Sequence, residues 1–137
     1  MDLTVVKPST IAPPIGAYSH AFTLDTSKFS KICFISGQVA NDIKGDLVGK
    51  GDFRAQYMLA YENLRNLLAD QGATFANIVQ LRTYLTNYEN MHKFFNIRKE
   101  TYPDWFADGI YPPNTLLVID SLVWPDLLIE VEAIAAW

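Results

Sequence analysis

Hydrophobic positions recur along this chain with two periods, and the switches between them outline its elements. Tyr18, His20, Phe22 and Leu24 alternate with Ser19, Ala21 and Thr23, and after a polar stretch from Asp25 to Ser30 the apolar run Lys31–Val39 follows. These two runs predict a β-hairpin. Asp52 then stands where a helix N-cap would. Beyond it Phe53, Tyr57, Ala60, Leu64, Leu67 and Leu68 recur at helical spacing to about Asp70, with Gly72 just past the end. Period two returns over Ile78–Thr86, which sets Val79, Leu81, Thr83 and Leu85 against Gln80, Arg82, Tyr84 and Thr86. A second helix is predicted from Asn90 to Phe106, carried by Met91, Phe94, Phe95, Arg98, Tyr102 and Trp105. Pro103 should end or kink it, because proline lacks the N–H that the next turn needs.

The last quarter, Pro112 to Ala135, reads as two strands and a turn. Thr115–Ile119 is β-branched and aliphatic, Asp120–Asp126 holds a proline and two aspartates, and Leu127–Ala135 is apolar again. In that final run Ile129, Val131, Ala133 and Ala135 share one face, and Leu128, Glu130, Glu132 and Ile134 share the other. Two carboxylates on one strand face repel each other and need water, a cation or a cleft. A rim salt bridge would satisfy them, and so would a role in holding a water or a substrate proton.

The order of elements is strand, strand, helix, strand, helix, strand, strand, preceded by a proline-rich arm over residues 1–17. It predicts a single α+β domain over 1–137, built in two layers from a mixed sheet with both helices on one face and a split βαβ character.

Half of the 137 residues are hydrophobic, more than a small monomer hides comfortably, which points to a homo-oligomer. A net charge of −4 with no Lys/Arg run lacks the footprint of a nucleic-acid binder. Cys33 is the only cysteine, so an intrachain disulfide and a Cys-rich metal site are excluded. The start lacks the look of a secretory signal and no long uncharged apolar run occurs, so the expectation is a soluble cytoplasmic protein without membrane contact.

His20 and His92, the two histidines, lie on different elements and make no local metal pair with Cys33, and no metal or cofactor is expected. HExxH, CxxC and GxSxG patterns are absent, and the glycine-rich loop Asn41–Gly51 lacks the spacing of a phosphate-binding loop. Gly37, within Ser36-Gly37-Gln38, marks either a bulge or a close approach of backbone or ligand.

IGAYSHAF, FISGQVA, AYENLRNLLADQGATFANIVQLRTYLT and IEVEAIA, in this order, resemble the Rid/YjgF family of enamine and imine deaminases. The resemblance covers most of residues 12–135. It implies a chorismate-mutase-like fold and a homotrimer whose small-molecule substrate binds in clefts between subunits. It also implies catalytic roles for Glu130, which would place the hydrolytic water, and for Tyr18. Substrate contacts are implied for Gly37, Asn96, Asn114 and Leu116. The family's cleft arginine, in a motif like PARSxV, pairs with a substrate carboxylate. Here that motif reads PPNTLLV, so Asn114 takes the arginine's place and Leu116 stands where cysteine is common. An amide cannot reproduce the two-pronged ion pair. Arg82, Arg98 and His20 are the candidates for returning a positive charge from another direction, as a strand-face arginine, a helix arginine and a histidine among aromatics.

Three readings follow. The chain hydrolyses an enamine or imine other than the usual small 2-imino acids, it binds a metabolite or partner without turnover, or it has a ribonuclease-like activity. The acidic charge disfavours the third.

Overall fold

The computed structural model describes residues 2–137. The strands are β1 (Leu3–Val6), β2 (Ala21–Leu24), β3 (Ile32–Gln38), β4 (Ile78–Thr86), β5 (Asn114–Ile119) and β6 (Ile129–Ala136), and the helices are α1 (Phe53–Asp70) and α2 (Asn90–Trp105). Four strands form the main sheet in the order β3-β6-β4-β5. The β4–β5 pair is parallel and the β3–β6 and β6–β4 pairs are antiparallel. Strand β6 thus lies between β3 and β4, the two strands joined through α1. This is the split βαβ arrangement the sequence predicts.

The expected hairpin of β2 with β3 does not form. Asp25 caps a short 3-10 turn at Thr26–Lys28 by accepting from the Ser27 N–H at 3.0 Å, so the chain leaves β2 along a new direction. Strand β2 pairs instead with β1, and β3 with the end of the chain. The two strands of the last quarter are not neighbours either, because β4 separates them.

Helix α1 begins where the sequence places it: the Asp52 side chain accepts from the Ala55 N–H at 3.0 Å. Gly72 follows its end at φ 74, a left-handed conformation that glycine adopts without steric cost. Leu67 departs from the predicted stripe and is exposed, while Tyr61, outside that stripe, is fully buried. Pro103 sits in the last turn of α2, which ends at Trp105. Between the helices Tyr57 meets Thr101 and Tyr61 meets Tyr102, each pair joined by a buried 2.9 Å hydroxyl hydrogen bond.

Both helices cover one sheet face. Ile129, Val131, Ala133 and Ala135 of β6 and Leu81, Thr83 and Leu85 of β4 are buried beneath them. Val79 is an exception to the alternation. A register irregularity between Ile78 and Gln80 reverses the parity, so Ile78 enters the core in its place. The side chain of Gln56, wholly buried, donates to the Gly49 and Asp126 carbonyls and accepts from the Leu128 N–H, which fastens two loops to α1. The other sheet face carries no helix. On it Phe34 is 76% exposed and Leu117 47% exposed.

Candidate functional site

Two clusters of candidate residues form, one on each face of the sheet. The first centres on Glu130. Its partner across β4 is Tyr84, and its side chain lies against Gly37, where β3 bulges between Ile35 and Gln38. A Cβ added at Gly37 would fall inside that side chain, 2.5 Å from Cδ and 2.7 Å from Cγ. Gly37 is therefore required for space. Partial burial raises the Glu130 carboxyl above the usual carboxylate range, and the neighbouring Glu132 charge adds to the effect. Glu132 is itself held by Arg82 at 2.6 Å, so of the two strand-face carboxylates one has a rim salt bridge and the other has no cation within ion-pair distance among the described residues.

The second cluster lines a cavity of about 410 Å³ on the helix side, formed by the Ile15–Tyr18 segment, by Phe95, Arg98 and Lys99 of α2, and by Asn114 and Leu116 of β5. The segment is held in place by hydrogen bonds of its neighbours: His20 Nε2 donates to the Ala12 carbonyl at 2.7 Å, and Ser19 Oγ donates to the Tyr111 carbonyl at 2.7 Å. The Tyr18 ring meets His20 edge-on at 5.8 Å between centroids. Asn114 Oδ1 accepts from the buried Thr83 hydroxyl at 3.1 Å, whereas its Nδ2 is buried without a partner. Such a group costs free energy until something accepts from it.

Arg82, Arg98 and His20 are the three groups that spacing alone left unresolved, and Arg98 is set apart by its burial. It is 5% exposed, so it is no helix-surface arginine, and its guanidinium lies over Phe94, Phe95 and Tyr102 at 5.1, 5.2 and 5.8 Å. Arg82 faces the other side of the sheet in its ion pair, and the His20 ring is occupied with the Ala12 carbonyl. Of the three candidate sources of charge near Asn114, Arg98 lines the same cavity.

The sequence-derived site therefore divides. Tyr18, Asn114 and Leu116 share the cavity, Gly37 and Glu130 share the opposite sheet face, and the sheet itself stands between the two sets. Asn96 is exposed on α2 and lies outside the cavity, to which the helix contributes Phe95, Arg98 and Lys99. Of these, Phe95 and Arg98 belong to the periodic stripe, and Lys99 is the polar position that periodicity did not single out. The buried stripe of Phe94, Arg98 and Tyr102 was the available signal, since a cation within an aromatic stripe must be buried or bound. Among the described residues no cluster of His, Cys, Asp and Glu could hold a metal, and no helix is long and apolar enough to cross a membrane.

Residues 9–137 match the family model described as endoribonuclease L-PSP. A RutC family protein of Pyrococcus abyssi is 31% identical over 89% of this chain and 87% of its own length. The 3-aminoacrylate deaminase RutC of Acinetobacter baylyi is 24% identical over 98% of both chains. Among solved structures, the Rid family protein YyfB of Yersinia pestis, described as of unknown function, is 33% identical and superposes over the whole of both chains with a TM-score of 0.82.

Proposed function

This chain belongs to the Rid/YjgF family, whose model carries the name endoribonuclease L-PSP, and on that premise we propose that it is an enamine or imine deaminase. Water adds to the carbon of a C=N bond, the carbinolamine loses ammonia, and a carbonyl compound remains. The observation that carries this reading is Glu130: a carboxylate of raised proton affinity, seated in the space left by Gly37 and with no cation within ion-pair distance among the described residues. Ionised Glu130 takes a proton from the attacking water and passes it to the departing nitrogen.

The two half-sites fit one substrate only if a second copy of the chain brings its Glu130 face against the cavity. The helix-free sheet face with Phe34 and Leu117 exposed supports such packing, and the assembly in this reading is a homotrimer with the substrate in the cleft between neighbours. Tyr18 hydrogen-bonds the reacting end, and Asn114 and Leu116 line the remainder of the cleft. Without a charge at position 114 the substrate differs from the small 2-imino acids. One curated relative is named a 3-aminoacrylate deaminase, which supports the reaction class.

The test is ammonia release from enzymatically generated imines, with spontaneous hydrolysis as the baseline. Wild type is expected to exceed the baseline and Glu130→Ala to return to it. Wild type that never exceeds the baseline on carboxylate-bearing or carboxylate-free imines would overturn the deaminase reading in favour of a binding protein.

A further inference from the structure

Arg98, buried where it lines this cavity with Asn114, has a cation's desolvation cost and no carboxylate within ion-pair distance among the described residues. Aromatic faces offset part of that cost, but they satisfy none of the guanidinium's directional N–H donors. The Ile15–Tyr18 segment closes directly over it: a Cβ added at Gly16 would stand 2.7 Å from Arg98 Nη2. A buried cation sheltered by a glycine, in the same cavity as a buried and unpartnered amide donor, leaves an arrangement completed by an anion. Lys99 lines the same cavity and adds a second positive charge.

We propose that Arg98 is the anion anchor of this cavity, holding the carboxylate of a mid-sized, largely apolar substrate together with Lys99 and Asn114 Nδ2. The charge is supplied from helix α2 and not from β5, so the carboxylate lies towards the helix and the rest of the ligand fills the space lined by Ile15, Tyr18, Phe95 and Leu116. The apolar and aromatic side chains that line that space suit a largely apolar body. The inference rests on the deaminase reading for the reacting C=N group, but the anion site itself stands on geometry alone.

Phenylpyruvate, a carbonyl compound of the type an imino-acid hydrolysis would leave, and phenylacetone, in which a methyl group replaces the carboxylate, are the probes. Calorimetric titration of the intact protein is expected to give binding of phenylpyruvate at least about 10-fold tighter than phenylacetone, because a charge-assisted hydrogen-bonded pair is at stake. Arg98→Met keeps the aliphatic packing on the aromatic faces and is expected to abolish that preference, and Arg98→Lys to restore part of it. Thermal melts without ligand identify any variant that fails to fold. For a misfolded Arg98→Met, the readout passes to Asn114→Leu, which is expected to weaken phenylpyruvate more than phenylacetone and so narrow the preference; a preference that stays at its wild-type value there overturns the proposal.

Equal binding of the two probes to wild type, or a preference for phenylpyruvate that survives in folded Arg98→Met, overturns the proposal. Ammonia release from the phenylpyruvate imine separates the two inferences. Arg98-dependent binding without turnover of this or any other of the enzymatically generated imines removes the deaminase reading and keeps the anchor, and turnover unaffected by Arg98→Met removes the anchor and keeps the reaction.

Discussion

Gly37→Ala is expected to separate stability from activity. The backbone at Gly37 does not have positive φ, so alanine meets no conformational penalty there. The whole effect is the collision of a new methyl group with Glu130, 2.5 Å from Cδ and 2.7 Å from Cγ. The side chain that must yield is a flexible one on a helix-free face, so the cost falls near the lower end of the overpacking range, about 1 kcal/mol, or roughly 4 °C in Tm for a domain of this size. Activity suffers more, because a carboxylate displaced by an ångström or so loses its line to the water, a loss on the order of 100-fold.

The assay is a double-mutant cycle with Glu130→Ala, read by thermal denaturation and by imine hydrolysis. In the Glu130→Ala background the collision partner is gone. There Gly37→Ala should be neutral or stabilising by about 0.4–1 kcal/mol, through reduced freedom of the unfolded chain, with no further loss of activity. Equal destabilisation in both backgrounds, or full activity in Gly37→Ala alone, would refute the argument that Gly37 exists to make room for Glu130.

The acid limb of the pH–rate profile should reflect Glu130. Burial first and Glu132 second raise its pKa, so activity is expected to fall as pH drops through that raised value, and Glu132→Gln should move the limb to lower pH. The same shift has a stability sign: the carboxyl's favourable contribution is complete below its unfolded pKa and is lost as pH rises through the folded one, so Glu130→Gln should be at least as stable as wild type near neutrality. Tyr61→Phe leaves the buried Tyr102 hydroxyl without its 2.9 Å partner and is expected to cost about 1–3 kcal/mol in urea denaturation, most of which the double Phe variant recovers. Phe34→Asp puts a charge on the helix-free sheet face; light scattering should report monomers, and hydrolysis should vanish with the assembly, whereas an unchanged mass would exclude that face as the contact.

Several features are local and were legible in the chain itself. The Asp52 cap, the Gly72 stop, the boundaries of β4 and the alternating faces of β6 follow from nearest-neighbour hydrogen bonding and side-chain period, which act over a few residues. The α+β class and the split βαβ order follow from their sequence. Strand partners were different. Which edge β2 joins depends on the Asp25-capped turn and on an N-terminal strand that proline-rich composition disguises, and no local pattern records that competition.

The residue types of the candidate site were likewise visible, but not their grouping. Period two separates Glu130 from Ile129 and Val131, yet only the packing of α1 and α2 decides which face becomes core, and hence that Glu130 lies across the sheet from Tyr18 and Asn114. Sequence showed that position 114 carries no charge. The tertiary fold alone buried Arg98 in the same cavity, because a helical arginine is exposed or enclosed according to what the chain arm lays over it, and here the arm from Ile15 to Tyr18 does so with a glycine at the point of contact.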